Sequence, residues 1–117
     1  MQEKNPYEKL RKPGIDALGT LITPYKVIDI YMGEDESIQA LIAHDKDNRY
    51  TFGYRITFRN GRKADKSPTL ESGWFEKESF AILYFLGMIM TCQQWFSHSL
   101  ITEVHKLTFG YGQYELF

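Results

Sequence analysis

The residue types that bind metals are present, but their spacing is not that of a metal site. The histidines are far apart in the chain and no cysteine pair accompanies them: His44, His98 and His105. Structural zinc uses four ligands in short paired spacings. Asp45 and Asp47 begin like a calcium-binding loop, but the later ligand and glycine positions of such a loop are occupied by Arg49 and Tyr50. The sequence therefore predicts no metal site.

The candidate nucleophile and acid groups also lack the surroundings that catalysis needs. Cys92, the single cysteine, lies between Met90 and Trp95 in an apolar stretch, where a thiolate would be desolvated. The carboxylates of residues 34–36 fall in a polar turn, whereas general acid–base catalysis favours a carboxyl group with a shifted pKa in a shielded pocket. No nucleophile-elbow or glycine-rich phosphate-binding motif occurs. These features predict a protein that is not an enzyme and has no cofactor.

Charge is segregated along the chain, although the formal net charge is only -1. Residues 29–47 include six acids and one base, whereas residues 49–66 include six bases and one acid. The acidic segment predicts a surface that binds the basic cleft of a protein partner. Tyrosines near the C-terminus would add aromatic anchors, because tyrosine is common at interface hot spots. The predicted partner-binding residues are Glu34, Asp35, Glu36, Asp45, Asp47, Tyr111 and Tyr114.

The basic segment supports a second interpretation, the binding of single-stranded nucleic acid. Proteins of that class combine a positively charged groove with aromatic side chains on which bases stack. The candidate nucleic-acid-binding residues are Arg49, Arg55, Arg59, Arg62 and Lys63. Cross-strand pairing offers a purely structural alternative. If His44 pairs with Arg49 in a hairpin, Glu34 falls opposite Arg59 and neutralises part of the basic face.

Hydrophobic alternation predicts the sheet. Residues 25–32 and 37–44 are rich in β-branched and apolar types and are bounded by turn residues, as strands are. From residue 49 to 59, apolar and polar residues alternate without interruption, which predicts a strand with one buried and one wet face. Residues 45–48 predict the hairpin turn between the second and third strands. Residues 60–71 are polar, begin with Asn-Gly and contain a proline, which predicts a mobile loop opened by a turn at the Asn-Gly pair.

The remaining segments predict helices. Asn5-Pro6 favours the start of a short N-terminal helix, which Pro13 would end. Residues 76–97 predict one long helix, apolar on nearly all sides and therefore buried against the sheet and against a further element. The segment 98–117 suits either an extended strand or a second helix. The predicted fold is α+β, an antiparallel sheet of three to five strands packed against the long helix, as a single domain over residues 1–117.

Composition excludes several classes of protein. Hydrophobic residues make up 43% of the chain and charged residues 25%, which is typical of a globular protein and not of a disordered one. The aromatic content of 15% stands out. The longest apolar run, residues 80–90, is too short to span a bilayer. No apolar stretch follows a basic region near Met1, so no secretory signal is predicted. We therefore expect a cytoplasmic protein without membrane association.

A predicted strand with Gly53-Tyr54-Arg55-Ile56 is followed by a polar loop and by an apolar helix that opens with Ser79-Phe80-Ala81-Ile82-Leu83. Together these segments resemble immunity proteins of bacterial toxin–immunity systems. The resemblance covers residues 49–90 and implies a cytoplasmic inhibitor that blocks the active site of a cognate toxin. A nuclease toxin would present a basic cleft to the acidic residues. The predicted strands and helix are also similar to coactivator-type single-stranded DNA-binding proteins, which usually carry a clearer basic excess.

Overall fold

A four-stranded antiparallel sheet and two helices make up the fold. The computed structural model describes residues 5–15 and 19–115, with side chains up to residue 112. The strands are β1 (Lys26–Met32), β2 (Ser37–His44), β3 (Tyr50–Thr57) and β4 (Lys63–Lys66), and each pairs with the next along the chain. The helices are α1 (Glu78–Thr91) and α2 (His98–Glu115), with short 3-10 helices at Glu8–Leu10 and Gln93–Trp95. The predicted α+β class and strand number are confirmed.

The core lies between one face of the sheet and the helices. The alternating apolar residues of β3 point into it, as predicted: the Phe52 ring lies 5.4 Å from the Phe85 ring of α1, and Tyr54 stacks on Phe85 at 5.6 Å. Leu100 and Val104 of α2 are fully buried in the same core. The predicted burial of α1 on more than one side is therefore confirmed, because α2 supplies the further element.

The opposite face of β3 is not wet along its whole length, contrary to the prediction. Thr51 is only 2% exposed, and its hydroxyl donates to the carbonyl of Thr69 at 2.5 Å. A Cβ atom on Gly53 would lie 2.1 Å from the carbonyl oxygen of Lys66. Glycine is thus required in this strand because the following segment of backbone passes directly over it.

The predicted mobile loop over residues 60–71 is wrong. Its first part contains β4, in which Ala64 pairs with Ile56 of β3. Its second part, residues 66–70, passes over the sheet, and we call it the covering segment. Three of its residues are buried: Pro68, Thr69 and Leu70. Backbone bonds from Ile15 and Ile22 to this segment hold it in place. A polar composition did not reveal these partners, since they are distant in sequence.

The single long helix predicted over residues 76–97 is also wrong. Helix α1 ends at Thr91, and a 3-10 turn follows before α2 begins. The hydroxyl of Ser97 accepts the backbone N–H of Leu100 at 3.2 Å, so Ser97 is the N-cap that starts α2. Buried Phe96 anchors the turn to the core. The strand alternative for residues 98–117 is excluded for the described residues, which are helical to residue 115.

The predicted N-terminal helix is only a 3-10 turn, because Asn5 makes tertiary contacts instead of starting an α-helix. Its side-chain amide donates to the carbonyl of Tyr84 in α1 at 2.6 Å, and its Oδ1 accepts the backbone N–H of Tyr7. A Cβ atom on Gly87 would lie 2.2 Å from Asn5 Oδ1. The glycine inside α1 therefore provides the space in which the N-terminal segment docks.

The hairpin register differs by one residue from the predicted one. His44 pairs with Tyr50 and not with Arg49, so Gln39 lies opposite Arg55. The cause is the connecting loop of residues 45–49, in which Asn48 adopts a positive φ of 57°. The ladder between β2 and β3 ends at the pair formed by residues 37 and 57, so the predicted pairing of residues 34 and 59 does not form.

Replacing Gly53 by alanine tests the close crossing of the covering segment. We expect Gly53→Ala to lower the free energy of unfolding by about 3 kcal/mol or more, because the added methyl group meets backbone that cannot move away. The control is Gly110→Ala in α2, where a Cβ atom meets nothing within 4 Å. That change should raise stability by about 0.5–1 kcal/mol through helix propensity. Urea unfolding measures both, and equal stability of the two variants would contradict the crossing.

Candidate binding surface

The acidic residues predicted to bind a partner lie at opposite ends of the sheet. Residues 34–36 precede β2 and residues 45–47 follow it, with the eight-residue strand between them. An extended strand of this length separates the two turns by roughly 25 Å. The structure thus brings Glu34 together with Asp35 and keeps both apart from Asp47. Of the predicted acids, these three are exposed, whereas Asp45 is partly buried and Glu36 is buried.

The prediction that Glu36 belongs to the partner-binding surface is wrong, because this residue is only 3% exposed. Its carboxylate accepts a short hydrogen bond from the hydroxyl of Ser97 and lies 3.4 Å from the backbone nitrogen of the same residue. Burial of a carboxylate is tolerated when hydrogen bonds replace its hydration. Glu36 therefore connects the start of β2 to the N-cap of α2 and is not available to a partner.

Asp45 and Arg49 form an ion pair that closes the hairpin loop. The guanidinium lies 2.7 Å from the Asp45 carboxylate and reaches Asp47 at 3.3 Å. Asp45 also accepts the backbone N–H groups of residues 47 and 49. Partial burial raises the pKa of Asp45, but the hydrogen bonds from Arg49 and the loop backbone outweigh it and leave that pKa below its usual value. Both charges are therefore satisfied within the loop.

Arg55 is also engaged by the protein itself. Its guanidinium donates to the hydroxyl of Tyr25 at 2.9 Å and lies 6.0 Å from the centre of that ring. In the sheet it stands between Gln39 and Asp65. Lys63, by contrast, begins β4 as an exposed residue. The five predicted nucleic-acid-binding residues thus do not form one continuous basic face.

Arg59 and Arg62, two of the predicted nucleic-acid-binding residues, lie together with aromatic rings in a groove at the end of β3. The groove has a volume of about 530 Å³. Its lining, which we call the Trp95 groove, consists of Phe58, Arg59, Asn60, Arg62 and Trp95. The guanidinium groups of Arg59 and Arg62 have no ion-pair partner within the described part of the chain. This groove therefore offers aromatic surface and free positive charge side by side.

The β3–β4 turn positions the arginines of the groove. Phe58 and Gly61 are joined by a backbone hydrogen bond of 2.9 Å, and Gly61 has a φ of 87°. The side chain of Asn60 accepts the backbone N–H of Arg62 at 2.9 Å. Asparagine followed by glycine is suited to such a turn, because both tolerate positive φ and asparagine bonds to nearby backbone. The turn predicted at this Asn-Gly pair is confirmed.

Trp95 reaches the groove from the 3-10 turn between α1 and α2. It is 58% exposed, and its ring meets that of Phe58 edge to face at 6.4 Å. Phe58 in turn stacks on buried Phe96 at 5.3 Å. Because sequence analysis placed Trp95 inside a continuous helix, this residue was missed. The two glutamines before it, which interrupt the apolar sequence of the helix, are the signal that would have revealed the break.

The acidic turn before β2 lies at the same end of the sheet as the Trp95 groove. Ser37 pairs with Thr57, so the turn that precedes β2 and the turn that follows β3 are neighbours. Glu36 touches Ser97, two residues beyond Trp95. Exposed Glu34 and Asp35 therefore belong to the same end of the molecule as Arg59 and Arg62. This end presents both signs of charge together with an exposed tryptophan.

Tyr111, one of the two predicted aromatic anchors near the C-terminus, does not join this end. Tyr111 is half-buried and packs against the core. It lies on α2 about 20 Å along the helix axis from the capping Ser97. The side chain of Tyr114 lies outside the described residues. Phe109, on the same helix, is 69% exposed.

Within residues 5–15 and 19–115, no cluster of three or more histidine, cysteine or carboxylate side chains could hold a metal ion. In the same ranges, neither helix has the length and apolar character that crossing a membrane requires. Comparisons of the chain with protein-family models, curated proteins and solved structures returned no significant match. The arguments for function therefore rest on the surface itself.

Removal of the Glu36 carboxylate tests the connection between β2 and α2. We expect Glu36→Ala to lower the free energy of unfolding by about 2 kcal/mol, because the bonded groups of Ser97 lose a charged acceptor. Hydrogen exchange at the Leu100 amide should become faster. Exposed Glu34 is the matched control, and Glu34→Ala should change stability by less than about 0.5 kcal/mol. Equal effects of the two changes would show that Glu36 is not a structural residue.

Acid unfolding tests the loop ion pair. Because the pKa of Asp45 is lowered in the folded state, its contribution to stability is complete above its ordinary pKa of 3.8 and is lost as pH falls through the lower folded value. Urea unfolding from about pH 6 to about pH 3 should therefore show a loss of stability for the wild type that is smaller for Asp45→Asn. Asp47→Asn, at a more exposed position, should retain the wild-type slope. An identical slope in Asp45→Asn would contradict the assignment.

Proposed function

We propose that the protein is a non-enzymatic protein-binding module, specifically an immunity-type inhibitor of a cognate toxin. The Trp95 groove would be the centre of its binding surface. The observation that carries the proposal is the exposed indole of Trp95 beside two arginines that have no ion-pair partner among the described residues. Tryptophan and arginine dominate binding energy at protein interfaces, especially near the centre of a contact. In this proposal the protein acts in the bacterial cytoplasm and needs no cofactor.

Rigidity of the groove supports recognition of a folded partner. Phe58 is held by the β3–β4 turn on one side and by stacking on Phe96 on the other. Trp95 lies between α1 and α2, and Ser97 both caps α2 and fixes it to the sheet through Glu36. Side chains that are already ordered lose less conformational entropy when a partner binds. The groove is thus suited to contact with the ordered side chains of a folded toxin.

Charge at this end would orient the partner. Glu34 and Asp35 would face basic residues, such as those of a nuclease cleft, while Arg59 and Arg62 would pair with carboxylates at the rim. Charges of both signs favour one orientation over others, because misaligned docking places like charges together. Asp47 is distant from this surface and has no role in this contact. The proposal therefore retains two of the predicted acidic residues and adds the groove to them.

Single-stranded nucleic acid is the second candidate ligand, and the same groove favours it. The exposed face of Trp95 offers a surface for base stacking, and Arg59 and Arg62 supply positive charge. The charge available for phosphate contacts is limited, because Arg49 is paired and Arg55 bonds to Tyr25. Protein binding is therefore the leading proposal.

Truncation of Trp95 distinguishes a functional groove from an incidental one. Tagged protein should capture one stoichiometric protein from lysate of the source organism, and nuclease treatment should not remove it. We expect Trp95→Ala to weaken this binding by about 30-fold or more, the effect of losing a hot-spot residue. Phe109→Ala removes another exposed aromatic ring, away from the groove, and should leave the affinity unchanged. The captured protein should lose its activity when the complex forms.

Charge reversal and salt dependence separate the two candidate ligands. Replacing Glu34 and Asp35 by lysine should slow association with a basic protein partner and should strengthen binding to single-stranded DNA. Recovery of nucleic acid that is lost at higher salt would favour the second candidate. Protein capture that is unaffected by both Trp95→Ala and the charge reversal would overturn the proposed surface.

A further inference from the structure

A second cavity, at the far end of β4 from the Trp95 groove, has the chemistry of a small-molecule site. Its volume is about 270 Å³, slightly below the 300–1,000 Å³ of pockets for drug-sized ligands. It lies between β3, the start of the covering segment and α1. We call it the Lys66 pocket, and its principal lining residues are Arg11, Phe52, Lys66, Ser72, Phe75 and Met88.

The ammonium group of Lys66 is the polar feature of this pocket. It donates to the hydroxyl of Ser72 at 2.8 Å and lies 5.4 Å from the centre of the Phe52 ring. No carboxylate of the described residues lies within ion-pair distance of it. A half-buried ammonium without a counterion is unusual, because desolvation of a charge is costly unless an opposite charge compensates it.

The surroundings of Lys66 also affect its pKa. Burial disfavours the charged form and lowers the pKa of Lys66, while the more distant charge of Glu71 opposes the change and Arg11 adds to it. Arg11 is itself occupied, since its guanidinium pairs with Glu8 at 2.5 Å and lies 5.4 Å above the Tyr84 ring. The pocket therefore has one ammonium group free to bind a single negative charge.

Most of the remaining lining is apolar or aromatic, although Thr51, Tyr54 and Tyr84 also contribute hydroxyl groups. Phe75 is 1% exposed and fixed in place, with its ring 6.1 Å from that of Phe52. Met88 of α1 adds a flexible apolar side chain. A ligand that fits must therefore carry its charge at one end and an apolar body at the other. A dianion such as phosphate would need more donors than Lys66 and Ser72 supply.

We infer that the Lys66 pocket binds a small organic carboxylate, with the carboxylate on Lys66 and Ser72 and an apolar or aromatic body against Phe52, Phe75 and Met88. This inference goes beyond the proposed function and does not depend on it, because the two sites share no lining residue. A bound carboxylate would act as the counterion of Lys66, and the ligand would contact both β4 and α1.

Titration with a matched pair of ligands tests the inference. Phenylacetate and its neutral analogue phenylacetamide have the same apolar body and differ in charge. In nitrogen–proton correlation spectra, phenylacetate should produce saturable shifts of the Lys66, Ser72 and Gly73 amide signals. At about 10 mM it should approach saturation if its Kd is near 1 mM, as expected for a ligand of this size. Phenylacetamide should bind about tenfold or more weakly.

Two variants show whether the ammonium group is responsible. Lys66→Met keeps the apolar stem and removes the charge, and Lys66→Gln keeps a polar end group. Both should weaken phenylacetate binding by about tenfold or more. The matched control is Lys63→Met, at the exposed start of the same strand, which removes the same charge outside the pocket and should bind normally.

Several outcomes would overturn the inference. Absence of saturable shifts with phenylacetate at about 10 mM would exclude the site at the expected affinity. Equal binding of phenylacetamide, or normal binding by both Lys66 variants, would show that the charge is not recognised. Shifts produced equally well by inorganic phosphate would indicate a general anion site without selection for an apolar body. None of these results bears on binding of a protein partner to the Trp95 groove.

Discussion

The buried hydrogen bonds between Glu36 and Ser97 determine the geometry of one whole end of the molecule. Ser97 caps α2 through the Leu100 amide, and the same residue satisfies the Glu36 carboxylate. The carboxylate also lies at the N-terminus of α2, where the helix dipole favours negative charge. The strand, the helix start and the 3-10 turn that carries Trp95 are therefore fixed by one cluster of polar groups. If that cluster were lost, the position of Trp95 relative to the β3–β4 turn would depend on the ring contacts of Phe58 with Trp95 and Phe96.

The covering segment of residues 66–70 has a comparable effect on the other face of the sheet. It passes over Gly53 and buries Thr51, so it interrupts the polar face of β3 between Arg49 and Arg55. The arginines that alternate along the sequence are consequently separated into different environments. Arg49 stabilises a loop and Arg55 packs on a tyrosine. Arg59 and Arg62, beyond the end of β3, lie at a groove and have no ion-pair partner in the part of the chain that the structure describes. Just before this crossing, pairing with Tyr54 places Lys66 beside the core, where no carboxylate of the described residues forms an ion pair with it.

Periodicity predicted the sheet well and the burial of individual charges poorly. The alternation in residues 49–59 was sufficient to define β3 and its inward face, because a period of two has one structural meaning. The hairpin register was missed because it depends on the backbone of Asn48 and on the hydrogen bonds of Asp45, which composition does not specify. Glu36 was grouped with its acidic neighbours, although its burial depends on a residue 61 positions away. Trp95 was missed because the local cap at Ser97 was not recognised as a helix start and because the burial of Phe96, which fixes the turn, is a tertiary effect.

The hydrogen bond from Asn5 to the Tyr84 carbonyl joins residues that are 79 positions apart. The sheet, by contrast, is built from strands that pair with their immediate successors, so little loop-closure entropy opposes its formation. Chains with such local pairing fold quickly, whereas contacts between distant segments form late. During synthesis on the ribosome, Asn5 emerges long before the Gly87 position against which it docks. The segment around Asn5 therefore cannot form its contacts with α1 until α1 has left the exit tunnel and packed on the sheet.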